Sequence, residues 1–198
     1  MTMISKSVYC SGSIVKGGES TRKLVWSATE RAELAGGARP EEVVFLNPDD
    51  PISDGAQDLL AQFGRDMFQI HLADAVVVDG RERRGIGIGV EIAAATAMGT
   101  PVIFVAPAES EYRRSRLEFR GAVVMDYVHP HVHSLASTIV DSFAEAGKVL
   151  NSLERRRPPR PIPPWIRPAI DQYREVLLPD DEPMRRALFV LNRADGVL

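Results

Sequence analysis

The sequence predicts an α/β protein built on a doubly wound, five-stranded parallel sheet with helices on both faces. Three observations carry this. Short apolar runs alternate with helix-length segments five times, the pattern that gives strands joined by helical crossovers. The stretch ADAVVVDGRERRGIGIGVEIAAATAMGTPVIFVA reads as strand, glycine turn, helix and strand, and two strands so connected lie parallel. Its apolar runs, 75–78 and 102–105, lack a polar alternation, as strands covered on both faces do.

In chain order, residues 8–10 form the first strand. It opens into Ser11-Gly12-Ser13-Ile14-Val15-Lys16-Gly17-Gly18, a loop of glycines and hydroxyls. A helix over 19–35 follows, stopped by Gly36, Gly37 and Pro40, and then a strand over 43–46. Residues 47–55 are a turn-rich loop whose Asp49, Asp50 and Asp54 read as turn and cap formers or, less simply, as a cation site. An amphipathic helix over 57–72 delivers Asp74 to the third strand, with Leu59, Leu60, Phe63, Met67 and Ile70 near one face. After the fourth strand, 109–120 is a basic segment carrying Arg113, Arg114, Arg116 and Arg120. It is either a solvated helix face or a phosphate contact across a dimer interface. A fifth strand over 122–126 and a closing helix over 132–150 complete the expected domain, residues 1–152.

Composition changes at residue 155. RRRPPRPIPPWIRP holds six prolines and five arginines in fourteen residues, an extended or polyproline-like stretch. Two short helices, 169–178 and 183–193, follow it. This extension, 153–198, is either a linker and tail packed on its own domain or a neighbour, or a ligand for a proline-binding partner.

The chain's 198 residues are 44% apolar and 26% charged, with a net charge of -3 and a pI near 5.8, so nothing points to binding a nucleic-acid polymer. The single cysteine, Cys10, lies in a strand and reads as a small buried hydrophobe. Without a possible internal disulfide, a signal core or a run of about 18 apolar residues, the expectation is a cytoplasmic protein with no membrane partner.

Ligands of open parallel sheets bind beyond the carboxyl ends of the strands, where the glycine turn 85–89 would sit. Helix N-terminal N–H groups with Arg81, Arg83 and Arg84 beside them make a seat for an anion. Glu91 is the odd residue, the one charge between Gly85 and Ala108 in an otherwise apolar helix. Either it complements the helix dipole from the first turn, or it is kept for chemistry. Asp79 is either a cap or a contact to a ribose hydroxyl. His129, His131 and His133 alternate around Pro130 with no cysteine or carboxylate cluster nearby, which favours surface histidines over a metal set.

Three segments, VYCSGSIVKGG, RDMFQIHLADAVVVDG and GIGIGVEIAAATAMGTPVIFV, stand in the order and spacing of a known family. Over roughly residues 7–145 the chain resembles the nucleoside 2-deoxyribosyltransferase superfamily, whose fold is Rossmann-like or flavodoxin-like, and within it the 2'-deoxynucleoside 5'-phosphate N-hydrolases. The resemblance implies that Glu91 is the nucleophile at the sugar's anomeric carbon. It further implies that Asp74 orients or protonates the departing base, and that Tyr9 is the aromatic beside the nucleophile, a tyrosine going with 2'-deoxy sugars. Gly12, Ser13 and Ile14 match the loop on the nucleotide, and Gly85, Gly87 and Gly89 the turn on the 5'-phosphate. Two positions depart from the pattern: Arg84 stands where a serine is usual, and Ser115 and Arg116 stand where a neighbouring subunit supplies a serine. The implied protein is a homodimer or higher oligomer acting on a nucleoside 5'-monophosphate without cofactor or metal, as hydrolase, as transferase between bases, or as a sensing module that no longer turns over.

Overall fold

The computed structural model describes residues 5–12, 26–48, 58–82, 85–154 and 160–191. Expectations placed on Ser13, Ile14, Asp49, Asp50, Asp54, Arg83 and Arg84 lie outside these residues, as does the start of the helix expected from residue 19.

Five parallel strands form the sheet: β1 (Ser5–Ser11), β2 (Glu42–Leu46), β3 (Ala75–Asp79), β4 (Val102–Val105) and β7 (Thr138–Val140), in the order β2-β1-β3-β4-β7. Side chains alternate between the two faces. Tyr9, Val76, Val78, Val102 and Phe104 join the core beneath α2 (Leu59–Leu72) and α3 (Ile86–Met98). Val8, Cys10, Ala75, Val77, Ile103 and Val105 join the core beneath α1 (Ala28–Gly37) and α5 (Phe143–Ser152). Apolar residues on both faces explain the continuous runs in the sequence.

Two elements differ from expectation. Residues 122–126 are not in the parallel sheet. They belong to β6 (Ala122–Val128), which pairs antiparallel with β5 (Arg113–Phe119), so the basic segment is a hairpin strand and not a helix face. Its two-residue turn, Arg120-Gly121, has φ of 51° and 78°, the left-handed pair a tight hairpin requires. An arginine rarely takes that conformation, and this hid the turn. The sheet's fifth strand is instead β7, cut out of the expected closing helix. Pro130 opens α4 (Pro130–Leu135), Thr138-Ile139-Val140 pair with β4, and Ser142 caps α5 by accepting from the Glu145 N–H. The β-branched run and the Ser-x-x-Glu box were the overlooked signals.

The extension packs on its own domain. Helices α6 (Arg167–Val176) and α7 (Glu182–Val190) bury Ile170, Tyr173 and Met184 in the core shared with α2 and α3. The 155–159 part of the proline-rich stretch lies outside the described residues.

Candidate active site

Sheet order reverses between β1 and β3, because β1 leads to β2 on one side while β3 and β4 build outward on the other. The crevice at such a reversal, at the carboxyl ends of the strands, is where open parallel sheets hold ligands. Tyr9 and Ser11 lie at this end of β1, two residues apart and therefore on one face. Glu91 reaches them from α3. The Tyr9 hydroxyl donates to its Oε1 at 2.9 Å, and the Ser11 hydroxyl to its Oε2 at 2.5 Å.

α3 begins at Ile86, so Gly87 and Glu91 are both inside it, and Glu91 stands in its second turn. The first-turn dipole reading of this residue therefore fails, since the effect falls off within one turn. Among the described residues the carboxylate meets no cation. It is half-buried beside a sheet, and burial raises its pKa above the ordinary carboxylate range, with the Ser11 and Tyr9 hydroxyls pulling the other way. Tyr9 is fully buried, and its pKa stands far above that of a free phenol, first through burial and then through the negative charges of Asp66 and Glu91. The phenol is thus a fixed donor. A carboxylate gripped by two neutral donors, with no ion pair to quench it, keeps the electron density a nucleophile needs.

One further acid, outside the residues expected from the sequence, bears on the Tyr9 phenol through its charge. Asp66, half-buried on α2, raises the Tyr9 pKa, and its neighbour Arg65 opposes it, so both act on this hydroxyl. A signal existed: Asp66 stands three residues after Phe63 and four before Ile70, on the apolar stripe of its helix, where a carboxylate is out of place.

Asp74 is elsewhere. It precedes β3 at the amino edge of the sheet, where its Oδ2 accepts from the Ser7 N–H at 2.8 Å and the Ser7 hydroxyl at 2.9 Å. The five residues of β3 separate it from the carboxyl edge by about 16 Å. The structure does not bring it together with Glu91. The Ala-Asp step ends α2 and joins it to β3, which is a connection role.

The other expected residues divide. Gly12 follows β1 at the carboxyl edge. Gly85 is the N-cap residue of α3 with no side-chain cap bond, and Gly87 and Gly89 lie in the helix, exposed, with no atom of the described residues outside their own helix backbone and chain neighbours within 4 Å of where a side chain would begin. The first-turn N–H groups of α3 have no intrahelical acceptor and are open to approach. Arg81 is not available to an anion there. Its guanidinium is bound by both oxygens of Asp79, pairs with Glu30 of α1 and lies 5.1 Å from the Phe143 ring, on the far face of the sheet. Asp79 is accordingly an ion-pair partner. Ser115 and Arg116 are on the hairpin, where the Ser115 N–H donates to Glu109 and Arg116 lies 3.9 Å from Glu118. Neither bonds to the Glu91 cluster within one chain.

A cavity of about 750 Å³ lies against the other side of α3, walled by Ile86, Val90, Phe104, Tyr112, His129 and His131, and Glu91 is not in its wall. Among the described residues no group of three His, Cys, Asp or Glu side chains could hold a metal ion, and no helix is long and apolar enough to cross a membrane.

The Glu91 cluster yields a direct pH prediction. Removing one donor from an ionised carboxylate costs about 1.5–3 kcal/mol, or roughly one to two pH units. Tyr9→Phe should therefore raise the Glu91 pKa further and move the acid limb of kcat/KM to higher pH by about that amount. An unmoved limb in a folded variant would dissociate the Tyr9 hydroxyl from the group that titrates.

No protein-family model matches the chain, and no curated protein sequence matches it. Among solved structures it is similar to a 2-desoxiribosyltransferase from Leishmania mexicana, at 19% identity and a TM-score of 0.46, with 73% of this chain and 95% of that chain covered.

Proposed function

We propose that this chain cleaves the N-glycosidic bond of a nucleoside 5'-monophosphate, with a 2'-deoxy sugar preferred, to give free base and sugar 5-phosphate. The observation that carries the reading is the Glu91 carboxylate, held by Tyr9 and Ser11 at the switch point of the sheet. Glu91 attacks C1' as the C1'–N bond breaks, and the bonding pair leaves with the base, which takes a proton from the Asp66 side. Water then adds hydroxide to C1', releasing the carboxylate and returning a proton. Two carboxyl groups in distinct environments are the general solution for glycosyl transfer. The N–H groups at the start of α3 receive the 5'-phosphate, and Arg84 directly precedes this turn in the sequence. Binding energy at that remote group holds the sugar in its reactive shape.

A second copy of the chain completes the assembly in this reading. The outward face of α3 exposes Ile86 and Val90, and the hairpin exposes Phe119, Val123 and Met125, apolar side chains that a partner copy would cover.

One experiment tests the reading. Ribo- and deoxynucleoside 5'-monophosphates and the matching nucleosides are incubated with the protein, with and without chelator, and released base is measured beside the mass in solution. Expected are base release from the monophosphates, at least about 100-fold slower release without the phosphate, no effect of chelation, and a mass of at least two chains of 21.8 kDa. Equal rates with and without phosphate, or no release from any of them, would overturn it. A new nucleoside formed when free base is added would make the protein a transferase.

A further inference from the structure

The extension reaches the site through one buried acid. α6 lies so close to α2 that a side chain begun on Gly64 would fall 1.8 Å from the Ala169 carbonyl oxygen. Tyr173 of α6 is fully buried, packs on Phe68 with ring centroids 5.4 Å apart, and donates its hydroxyl to Asp181 Oδ2 at 2.7 Å. The same oxygen accepts from Arg65 Nε at 2.6 Å, while Oδ1 accepts from the Met184 N–H and so starts α7. Asp181 is wholly buried and the Arg65 side chain almost so.

Arg65 has a second end. Its Nη1 donates to the carbonyl oxygens of Asn47 at 3.0 Å and Pro48 at 3.4 Å, the first residues after β2. That chain leaves the sheet at its carboxyl edge, beside Tyr9, because Leu46 is the residue in register with Tyr9. Farther up the same helix, Gln172 of α6 donates to Asp58, the residue that caps α2. The extension therefore grips α2 at its cap and at the turn that carries Asp66.

We propose that Asp181 is a positioning residue for the site. Bonded to Tyr173, it fixes the Arg65 guanidinium, which in turn fixes the chain leaving β2 beside Tyr9 and the turn of α2 that carries Asp66. A buried ion pair is a poor source of stability, and apolar residues of similar volume often replace one without loss. What apolar residues cannot supply is a planar fork of donors aimed at two carbonyl groups of the β2 exit. The function of Asp66 assumed here rests on the reading proposed above; the clamp itself does not.

The test is the paired variant Arg65→Met with Asp181→Leu in the full chain, since removing one partner alone strands a buried charge and costs stability for that reason. Hydrogen exchange is followed at the amides of residues 46–47 and 62–68, together with kcat and KM on the best substrate of the panel. Expected are a cooperative melt, exchange accelerated at those residues and not in β3 or β4, and kcat lowered about 10- to 100-fold with KM within threefold. Unchanged exchange at 46–47, or unchanged kcat in an active enzyme, would overturn the proposal. Wild type inactive on every substrate would overturn the glycosidase reading instead, and exchange would still decide the clamp.

Discussion

Glu91→Gln should lower base release by about 10³-fold or more and at the same time raise the melting temperature near neutral pH. The first effect follows from removing the attacking group of the proposed reaction; a factor of 10³ is about 4 kcal/mol of barrier, modest for loss of a nucleophile. The second follows from the sign of the pKa shift. Burial raises the Glu91 carboxyl above its unfolded value, so the folded state binds this proton more tightly than the unfolded state does. Its contribution to stability is full below the unfolded pKa, near 4.3, and is lost as pH rises through the folded pKa. At neutral pH the native protein therefore carries the burden of a charge held out of water. Glutamine removes that charge, still accepts from Tyr9, and can donate to the Ser11 oxygen once that hydroxyl rotates. Each kcal/mol gained moves the melting temperature of a chain this size by about 2–4 °C. Calorimetry at pH 5 and pH 7.5 checks it, with the gain larger at the higher pH. A variant that is less stable than wild type at both would mean that the carboxylate is there to hold the fold together. Such opposition between activity and stability is the expected mark of a group retained for chemistry.

Legibility in the sequence followed the kind of signal each residue gives. Glu91 was visible because a lone charge interrupts an apolar helix, and the β3–α3–β4 unit was visible because nothing in it conflicts with its neighbours. The hairpin was not, since its turn uses Arg120-Gly121, where composition signals an asparagine or aspartate before the glycine. β7 was hidden by its length. Three residues between two short helices give no period to read, and only pairing with Val105 and its neighbours makes them a strand. The contact of the extension with α2 was beyond reach for a different reason. Arg65 and Asp181 are 116 positions apart, and no local rule couples them. Arg81 shows the converse error. A basic run next to a glycine turn suggested an anion seat, but the turn points this guanidinium across the sheet to Asp79 and Glu30.

Asp66→Asn and Asp74→Asn should separate two acids that stand eight residues apart in sequence and at different ends of the site's architecture. The charge of Asp66 acts on Tyr9, the residue that holds Glu91, and in the proposed reaction Asp66→Asn removes the group that carries a proton to the leaving base. Positioned proton transfer contributes about 10²- to 10⁴-fold, and that is the expected loss in kcat. The loss should be greatest for the base that leaves least readily unprotonated. Asp74 is nearly buried and accepts from the N–H and hydroxyl of Ser7, on the strand that carries Tyr9. Asparagine there places an amide NH₂ among groups arranged for an acceptor, at a cost of about 1–3 kcal/mol, so the melting temperature falls while kcat of the folded fraction stays within about threefold. Measuring kcat and melting temperature for both variants on one substrate gives a two-by-two comparison. Asp66→Asn should change the first quantity and Asp74→Asn the second. The opposite pattern would return the proton-carrying role to Asp74, and would require the α2–β3 connection to open so that the amino edge of the sheet faced the sugar. Ser7 bonds to Asp74 through two separate donors, which makes that rearrangement the more expensive of the two accounts.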